Sequence, residues 1–449
     1  MELSDLCELR TLVENLVSSA RALQGVIDRN YRTQRLREVL DEHYDIGELA
    51  GVRVLERGYV NVSYEIQTSK GGKTRRYFLR QYKRGIREEE VRFEHSLVRH
   101  LARKGFTLSA DLIPTKTGGT YVRHLEEQDG EQEEVYFAVF EYLPGEDRYT
   151  WDNPACTETE LAEAARVLAR YHRAVHDLEP RSTRYEAGIV NLLPTISGNL
   201  MKYAKRAGCT KFDAYYLKNL DHILQVIQAA RDRIDPEEYR TLPQVAIHCD
   251  YHPGNLKFQD HRVVGVFDFD WSKIDARCFD VALAVVYACT TWEGKEDGDL
   301  VPARVSQFLG SYQQETAAGQ GEPGPSGGTP NGVNRGPSAG PSGGAAGVPP
   351  GTASPAPGPL NQQETTALPN MLRAANLYVL NWDVDDYYIK KPNPYEYLLY
   401  LQHNVRTMRW IEENWDELDR LVRSALGSGM DLPGKSAGPG TRTGGGGPP

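Results

Sequence analysis

The chain of 449 residues lacks most of the features that mark secreted, membrane-spanning or nucleic-acid-binding proteins. Its six cysteines are scattered without a CxxC pair, which argues against a disulfide framework or a zinc knuckle. The longest apolar run, residues 281–289, is far shorter than the roughly 20 residues that a membrane span needs. The formal net charge of −10 argues against nucleic acid or an anionic membrane as a partner. We therefore expect a cytoplasmic protein with reduced thiols and without a signal peptide.

Glycine and proline are scarce in most of the chain because two segments concentrate them. They supply 23 of the 42 residues from Gly319 to Leu360 and 13 of the 23 residues from Gly427 to Pro449. A segment of this composition cannot bury enough apolar surface to offset its chain entropy. The sequence therefore predicts a disordered insertion over 319–360, a disordered tail over 427–449, and a compact, mostly helical body elsewhere.

The body alternates between strand-like and helix-like patterns. Strand patterns, with one helix after the third strand, fill a region that we call the N-terminal lobe. Helical patterns dominate the C-terminal lobe, apart from a strand-rich stretch at its centre. The predicted segments are a helical extension (1–43), the N-terminal lobe (44–143) and the two parts of the C-terminal lobe (144–318 and 361–426).

The most informative stretch lies near the middle of the chain. Residues 245–258 read as a strand that leads into a polar loop with His248, Asp250 and Asn255, and a later strand ends at Asp268. Phosphoryl transfer needs a carboxylate that orients the attacking hydroxyl and accepts its proton. It also needs oxygen ligands that hold Mg²⁺ against the phosphates. Asp250, Asn255 and Asp268 supply this set at a spacing typical of kinases.

This pattern carries a family resemblance. The order His248-x-Asp250-x4-Asn255, followed by Asp268, resembles the catalytic signature of aminoglycoside phosphotransferases and relatives such as choline kinases, type II homoserine kinases and spore-coat-associated kinase-like proteins. The resemblance implies a protein-kinase-like bilobal α+β fold with a small N-terminal β-sheet lobe and a mainly helical C-terminal lobe. It also implies transfer of the γ-phosphoryl group of ATP, with Mg²⁺, to a hydroxyl of a small molecule.

The resemblance assigns a role to each residue of the motif. It implies that Asp250 is the catalytic base and that Asn255 and Asp268 hold the metal. It implies that His248 braces the catalytic loop and that Asp280 anchors this loop from below.

The N-terminal lobe carries the expected nucleotide contacts, with alternatives open. Arg80 lies on the third predicted strand, where many kinases have lysine, and Lys83 is its rival for the phosphates. On the following helix Glu94 is the expected ion-pair partner, and Glu90 is the alternative. The resemblance places the hinge between the lobes, where backbone groups meet adenine, at Glu141–Leu143.

A cluster of acidic and aromatic residues, Trp382–Tyr388, has two interpretations. Carboxylates beside aromatic faces suit a cationic acceptor group. The other interpretation is a loop whose aromatic side chains fill gaps between two helices, predicted at 368–380 and 394–426.

Three other functions compete with a small-molecule kinase. One is a catalytically silent kinase-fold binding protein, for example a spore-coat-associated one. Another is a metal hydrolase that uses His248, Asp250, His252 and Asp268, although the other histidines form no matching set. A protein kinase is disfavoured, because Asp280 follows Asp268 by only twelve residues and leaves little room for an activation loop.

Overall fold

A computed structural model describes five stretches of the chain. The helical extension is described only in part, as helix α1 over residues 32–43, and most of the predicted insertion and tail lie outside the described residues. The described residues are 32–55, 60–128, 131–318, 357–390 and 393–427.

The N-terminal lobe is built on one antiparallel sheet. Its elements are β1 (Glu48–Leu55), β2 (Val62–Lys70), β3 (Lys73–Gln81), α2 (Glu88–Arg103), β4 (Val122–Gln128) and β5 (Glu131–Glu141). The five strands lie in the order β1-β2-β3-β5-β4. Gly71 and Gly72, both with positive φ, form the tight turn between β2 and β3, a backbone conformation that glycine adopts without steric cost.

The sheet is covered on both faces. Leu36, Val39 and Leu40 share one side of α1 by their spacing, and they are buried in one cluster with sheet residues that include Ile66 and Phe137. The apolar side of α2 instead belongs to the larger core that continues into the C-terminal lobe. The sheet therefore joins the two lobes through α2, while α1 closes its outer face.

The C-terminal lobe is mainly helical. Its elements are α3 (Glu158–Val175), α4 (Ile189–Ala204), α5 (Lys211–Asp232), α6 (Pro236–Thr241), β6 (Gln244–Ile247), β7 (Leu256–Gln259), β8 (Arg262–Val266), β9 (Lys273–Ala276), α7 (Arg277–Ala288), α8 (Pro302–Ala318), α9 (Gln362–Lys390), α10 (Pro394–Glu413) and α11 (Trp415–Ala425). Strand β6 pairs with β9 and β7 pairs with β8. The loop from β6 to β7 and the loop from β8 to β9 therefore lie side by side. The predicted α+β class, with a small N-terminal sheet and a mainly helical C-terminal lobe, is confirmed.

The interpretation of Trp382–Tyr388 as a loop is wrong, because these residues lie inside α9. Neighbouring helices donate hydrogen bonds to two of the carboxylates that made the segment look loop-like. The Tyr203 hydroxyl donates to Asp385, and the Tyr397 hydroxyl donates to Asp386. Contacts from α4 and α10 therefore keep this acidic stretch helical.

Two further boundaries differ from expectation. The single helix expected at 394–426 is two helices, because the Asn414 side chain donates to the carbonyl of Trp410 and ends α10. Residues 357–360, which we assigned to the insertion, lie in the fold. The buried guanidinium of Arg277 donates to the carbonyls of Gly358 and Pro359 and to the Glu364 carboxylate.

Candidate active site

The catalytic-loop candidate, residues 248–255, is held from below by Asp280 of α7. The two carboxylate oxygens of Asp280 accept from the backbone N–H groups of His248 and Cys249, each at 2.8 Å. Nε2 of His172 lies 2.9 Å from one of the same oxygens. Burial alone would raise the pKa of Asp280, but the His172 contact and these donors hold it below its usual value. The loop therefore rests on a charged group that pairs with its backbone.

His248 links this loop to the neighbouring one. The side chain is fully buried, and its Nε2 lies 3.1 Å from the carbonyl oxygen of Phe267, the residue before Asp268. Burial lowers the pKa of His248, so at neutral pH the imidazole is uncharged and donates to that carbonyl. His248 thus positions the loop that carries Asp268.

Asp250 is the carboxylate of the catalytic-loop candidate, and 23% of its side chain is accessible. Asn255 Nδ2 donates to its Oδ2 at 2.8 Å and to its backbone carbonyl at 2.9 Å. The Tyr287 hydroxyl bonds to it from α7, and His252 Nε2 lies 3.6 Å from Oδ1. Burial raises the pKa of Asp250, but the lowering by His252 and Asn255 is larger, so the net pKa lies below its usual value. Asp250 is therefore a carboxylate at neutral pH.

The second loop places two more carboxylates in the cleft. Asp268 has a left-handed backbone with φ +70° and accepts from Arg80 Nη2 at 2.7 Å. Asp270 is buried beside it and accepts from Asn61 Nδ2 at 2.6 Å. Burial and the Asp268 carboxylate raise the pKa of Asp270 to about 7. Burial also raises the pKa of Asp268, which the Arg80 charge opposes.

Negative charge exceeds positive charge around these loops, and the donor set fits a divalent cation. The carboxylates of Asp250 and Glu94 raise the pKa of Asp268, and the Arg80 cation lowers it. Oδ1 of Asp270 is buried without a hydrogen-bond partner among the described residues. Buried carboxylates are normally paired or bound to a metal. Mg²⁺ needs only one or two protein oxygens when phosphate and water complete its shell, and Asp268 with Asn255 offers them.

The metal-hydrolase alternative finds no support in this geometry. Within the described stretches, no three His, Cys, Asp or Glu side chains converge on one metal position. Nε2 of His248 bonds to the Phe267 carbonyl, and His252 Nδ1 accepts from the backbone of Gly254 at 3.0 Å. Both histidines therefore hold backbone.

The structure brings Arg80 and Glu94 together. Arg80 Nη1 donates to Glu94 Oε1 at 2.8 Å, and both side chains are about 95% buried. The Tyr82 hydroxyl donates to the other Glu94 oxygen at 2.8 Å. Lys83 is exposed near the Trp271 ring, and Glu90 accepts from the backbone of Arg87 at the start of α2. The alternative candidates Lys83 and Glu90 thus do not take part in the buried ion pair.

The hinge candidates lie at the far end of β3 from Lys83. Glu141 ends β5 and pairs with Tyr77 of β3, and its N–H donates to the carbonyl of Asp111 at 2.9 Å. Leu143 follows two residues later and packs on Gly265 of β8. The segment Glu141–Leu143 therefore connects the two lobes, and its role toward adenine stays a prediction.

Sequence reasoning missed two side chains at this site. Tyr287 lies seven residues after Asp280 on α7, and that spacing puts both on one side of a helix, a signal that could have found it. Arg184 lies in the irregular segment 176–188, where no periodic pattern indicates which way a side chain points.

The comparisons with known proteins agree with this geometry. A model of the phosphotransferase enzyme family matches residues 51–317. The chain belongs to this family. The homoserine kinase of Ralstonia nicotianae is 27% identical over 252 residues, which cover 54% of this chain and 66% of that protein. The chain thus spans slightly less than two thirds of the length of this relative.

Two solved structures show the same fold. An aminoglycoside phosphotransferase from Alicyclobacillus acidocaldarius superposes with a TM-score of 0.52 at 18% identity, covering 85% of this chain and 94% of that one. A choline kinase from Cryptosporidium parvum gives 0.51 at 12% identity, covering 87% and 97%. The predicted family, the protein-kinase-like fold and the prediction of a small-molecule kinase are confirmed. Among the described helices, none has the length and apolar character that crossing a bilayer requires.

Proposed function

We propose that this family member transfers the γ-phosphoryl group of ATP, with Mg²⁺, to a hydroxyl of a small molecule that carries a positive charge. One observation carries the proposal. An ionised Asp250 and the Asp268 carboxylate, which accepts from Arg80 of β3, lie on two loops that His248 ties together. This arrangement puts a proton acceptor beside the charged groups that phosphates and a metal need.

The proposed reaction forms one bond, breaks one bond and transfers one proton. The acceptor hydroxyl oxygen attacks the γ-phosphorus, and the bond from phosphorus to the β–γ bridging oxygen breaks. ADP leaves with that electron pair, and Asp250 accepts the hydroxyl proton. The lowered pKa of Asp250, set by His252 and Asn255 against burial, keeps it ready to accept.

Asn255 and Asp268 would hold the magnesium ion, and Arg80 would steady the phosphates. Asn255 uses its Nδ2 on Asp250, so its amide oxygen is the group left for a metal. When bound, the ion neutralises charge on the phosphates. The Arg80 pair with Asp268 would open to admit them, while Glu94 keeps the guanidinium in place.

We also propose the division of the chain that the motif implied. The N-terminal lobe at 44–143 would cover the nucleotide, with adenine at Glu141–Leu143. The parts at 144–318 and 361–426 would form one lobe that binds the acceptor, because the α7 and α9 helices pack on each other across the insertion.

A wall of aromatic side chains continues from Asp250 into the C-terminal lobe. Tyr287 contacts Asp250, and Trp151 follows Thr150, whose backbone lies against Gly254. The Trp151 ring centroid lies 5.4 Å from that of Trp292 and 6.2 Å from that of Trp382. These tryptophans are only partly buried, and the faces of aromatic rings attract organic cations.

A fully buried carboxyl group, Asp383, lies behind this wall, and a bound cation would favour its ionised form. Its Oδ2 accepts from Asn404 Nδ2 at 2.7 Å, while its buried Oδ1 has no partner among the described residues. The nearby Asp385 and Asp386 already pair with tyrosine hydroxyls. Burial holds the pKa of Asp383 well above its usual value, and a bound ammonium would draw it back down.

An acceptor screen with matched pairs tests the proposal. Homoserine and choline, the acceptors that the relatives' names give, would each be offered to the enzyme with ATP and Mg²⁺. Each is paired with an analogue that lacks the positive charge, the hydroxy acid without the amine and the alcohol with carbon in place of nitrogen. ADP release on cationic compounds and not on their analogues is the expected result. Equal rates on both members of every pair would contradict the charged-acceptor proposal.

A further inference from the structure

Arg184 is a largely buried cation at the edge of the candidate site, and among the described residues its guanidinium forms one long ion pair and no hydrogen bond. Only 9% of its side chain is exposed. Its Nε is buried without a hydrogen-bond partner among the described residues and lies 3.6 Å from Glu90 Oε1. Its guanidinium carbon lies 5.8 Å from the ring centroid of Trp271, the residue after Asp270. Burying a guanidinium without hydrogen-bond partners is costly unless a ligand supplies those partners.

Arg184 lies near the carboxylate cluster of the candidate site. Burial raises the pKa values of Asp270 and Glu94, and the nearby Arg184 charge opposes both effects. These carboxylates flank the pair of Arg80 with Asp268. The low exposure of the Arg184 side chain and its distance to the Trp271 ring place its guanidinium against the protein at this cluster.

The segment that carries Arg184 is anchored just after it. Lys273 Nζ donates to the Glu186 carboxylate at 3.2 Å and to the carbonyl of Ala187 at 3.0 Å. The backbone N–H of Ile189 donates to the Asp275 carboxylate at 2.9 Å. The Lys273 side chain is 1% exposed, so the anchor is buried. Arg184 is thus held in place by contacts to β9 before any ligand arrives.

The position of Arg184 along the cleft points to phosphate and away from adenine. Tyr77 of β3 pairs with Glu141 at the hinge, whereas Lys83, just past the other end of β3, lies over the Trp271 ring that Arg184 also approaches. Six extended residues span about 20 Å. Arg80 lies between the two ends, so Arg184 lies on the side of Arg80 that faces away from adenine.

We infer that Arg184 binds the phosphoryl group during its transfer, as a second cation opposite Arg80; this inference rests on the proposed function. The planar guanidinium presents several N–H donors that fit two phosphoryl oxygens at once. Negative charge on the oxygens of the moving group is what a phosphotransferase must stabilise. Arg184 supplies that charge from the C-terminal lobe, whereas Arg80 supplies it from the sheet.

The experiment needs no knowledge of the acceptor. Binding of fluoroaluminate, a planar mimic of the transferring phosphoryl group, is measured in the presence of ADP and Mg²⁺ by calorimetry for the wild type, Arg184→Gln and Arg184→Lys. We expect ADP and Mg²⁺ alone to bind all three alike. We expect fluoroaluminate affinity to fall about ten- to a hundredfold in Arg184→Gln, as loss of a hydrogen bond to a charged group predicts, and less in Arg184→Lys.

The matched control is Arg87→Gln. Arg87 is exposed, and its guanidinium lies 4.1 Å from the ring centroid of Tyr185, so it joins the same segment to the N-terminal lobe without facing the carboxylates. We expect it to keep wild-type fluoroaluminate affinity. An equal loss in Arg87→Gln, or full affinity in Arg184→Gln, would overturn the inference alone. No binding of ADP and Mg²⁺ to the wild type would overturn the proposed function as well.

Discussion

The two sides of the cleft are held by different means. On the C-terminal side, the catalytic loop is held through its backbone, because the Asp280 carboxylate accepts from two consecutive N–H groups. On the N-terminal side, long side chains hold one another, with Arg80 paired to both Glu94 and Asp268. A loop held by its backbone has one geometry, whereas a side-chain network can exchange partners when phosphates arrive. The comparison predicts that substitutions on the C-terminal side lower turnover or stability, whereas substitutions on the N-terminal side weaken nucleotide binding.

The largest expected effect is on turnover in Asp250→Asn. Asparagine keeps the size of the side chain but cannot accept the hydroxyl proton, so we expect kcat to fall about a thousandfold. The melting temperature should stay near that of the wild type, because Asp280 and not Asp250 holds the loop. Turnover is measured as ADP release with an acceptor from the screen, and wild-type kcat in this variant would refute the role of Asp250.

The next effect is on stability in Asp280→Asn. The substitution removes the buried charge and sets an amide N–H against a backbone N–H of the loop. We expect the free energy of unfolding to fall by about 3 kcal/mol, measured by urea denaturation. An unchanged free energy of unfolding would contradict the comparison, because the loop would then need no anchor.

A smaller effect is expected on nucleotide affinity in Glu94→Gln. Arg80 would lose its buried partner and turn fully to Asp268, where it competes with the metal. We expect the Kd for ADP with Mg²⁺ to rise about tenfold, close to 1.4 kcal/mol, by calorimetry. Glu89→Gln, which changes an exposed carboxylate in the first turn of α2, is the control and should bind like the wild type. Equal affinities in both variants would show that the Arg80–Glu94 pair does not prepare the phosphate site.

The smallest expected effect is on the KM for the acceptor in Asp383→Asn. We expect KM for a cationic acceptor to rise about fivefold near neutral pH, which corresponds to about 1 kcal/mol. Because burial raises the pKa of Asp383, its charged form grows as pH rises, and the wild-type KM should fall over that range. The variant should lose this slope while kcat stays unchanged, and a slope that survives would assign it to another group.

The same contrast explains how much could be predicted from the sequence. His248, Asp250, Asn255 and Asp268 lie in the two short connections between the β6–β9 pair and the β7–β8 hairpin, so local pattern was enough to predict that they meet. The choice between Arg80 and Lys83 depends on where β3 ends and on which of its sides faces the cleft, and the sequence left it open.

Long-range contacts decide the features that sequence reasoning missed or read wrongly. Arg184 reaches the site only because Lys273 anchors its segment from β9. The acidic stretch Trp382–Tyr388 looks like a loop by composition. It is helical because a tyrosine hydroxyl from α4 and another from α10 bond to two of its carboxylates.

The most direct test of the central claim is thermal unfolding with and without ATP and Mg²⁺, for the wild type and Asp268→Ala. A ligand at about a hundred times its Kd stabilises a folded protein by about 2.7 kcal/mol. The account predicts a clear rise in the melting temperature of the wild type that depends on Mg²⁺ and is absent in Asp268→Ala. A folded wild type whose melting temperature does not respond to ATP and Mg²⁺ would contradict it and favour a silent binding protein.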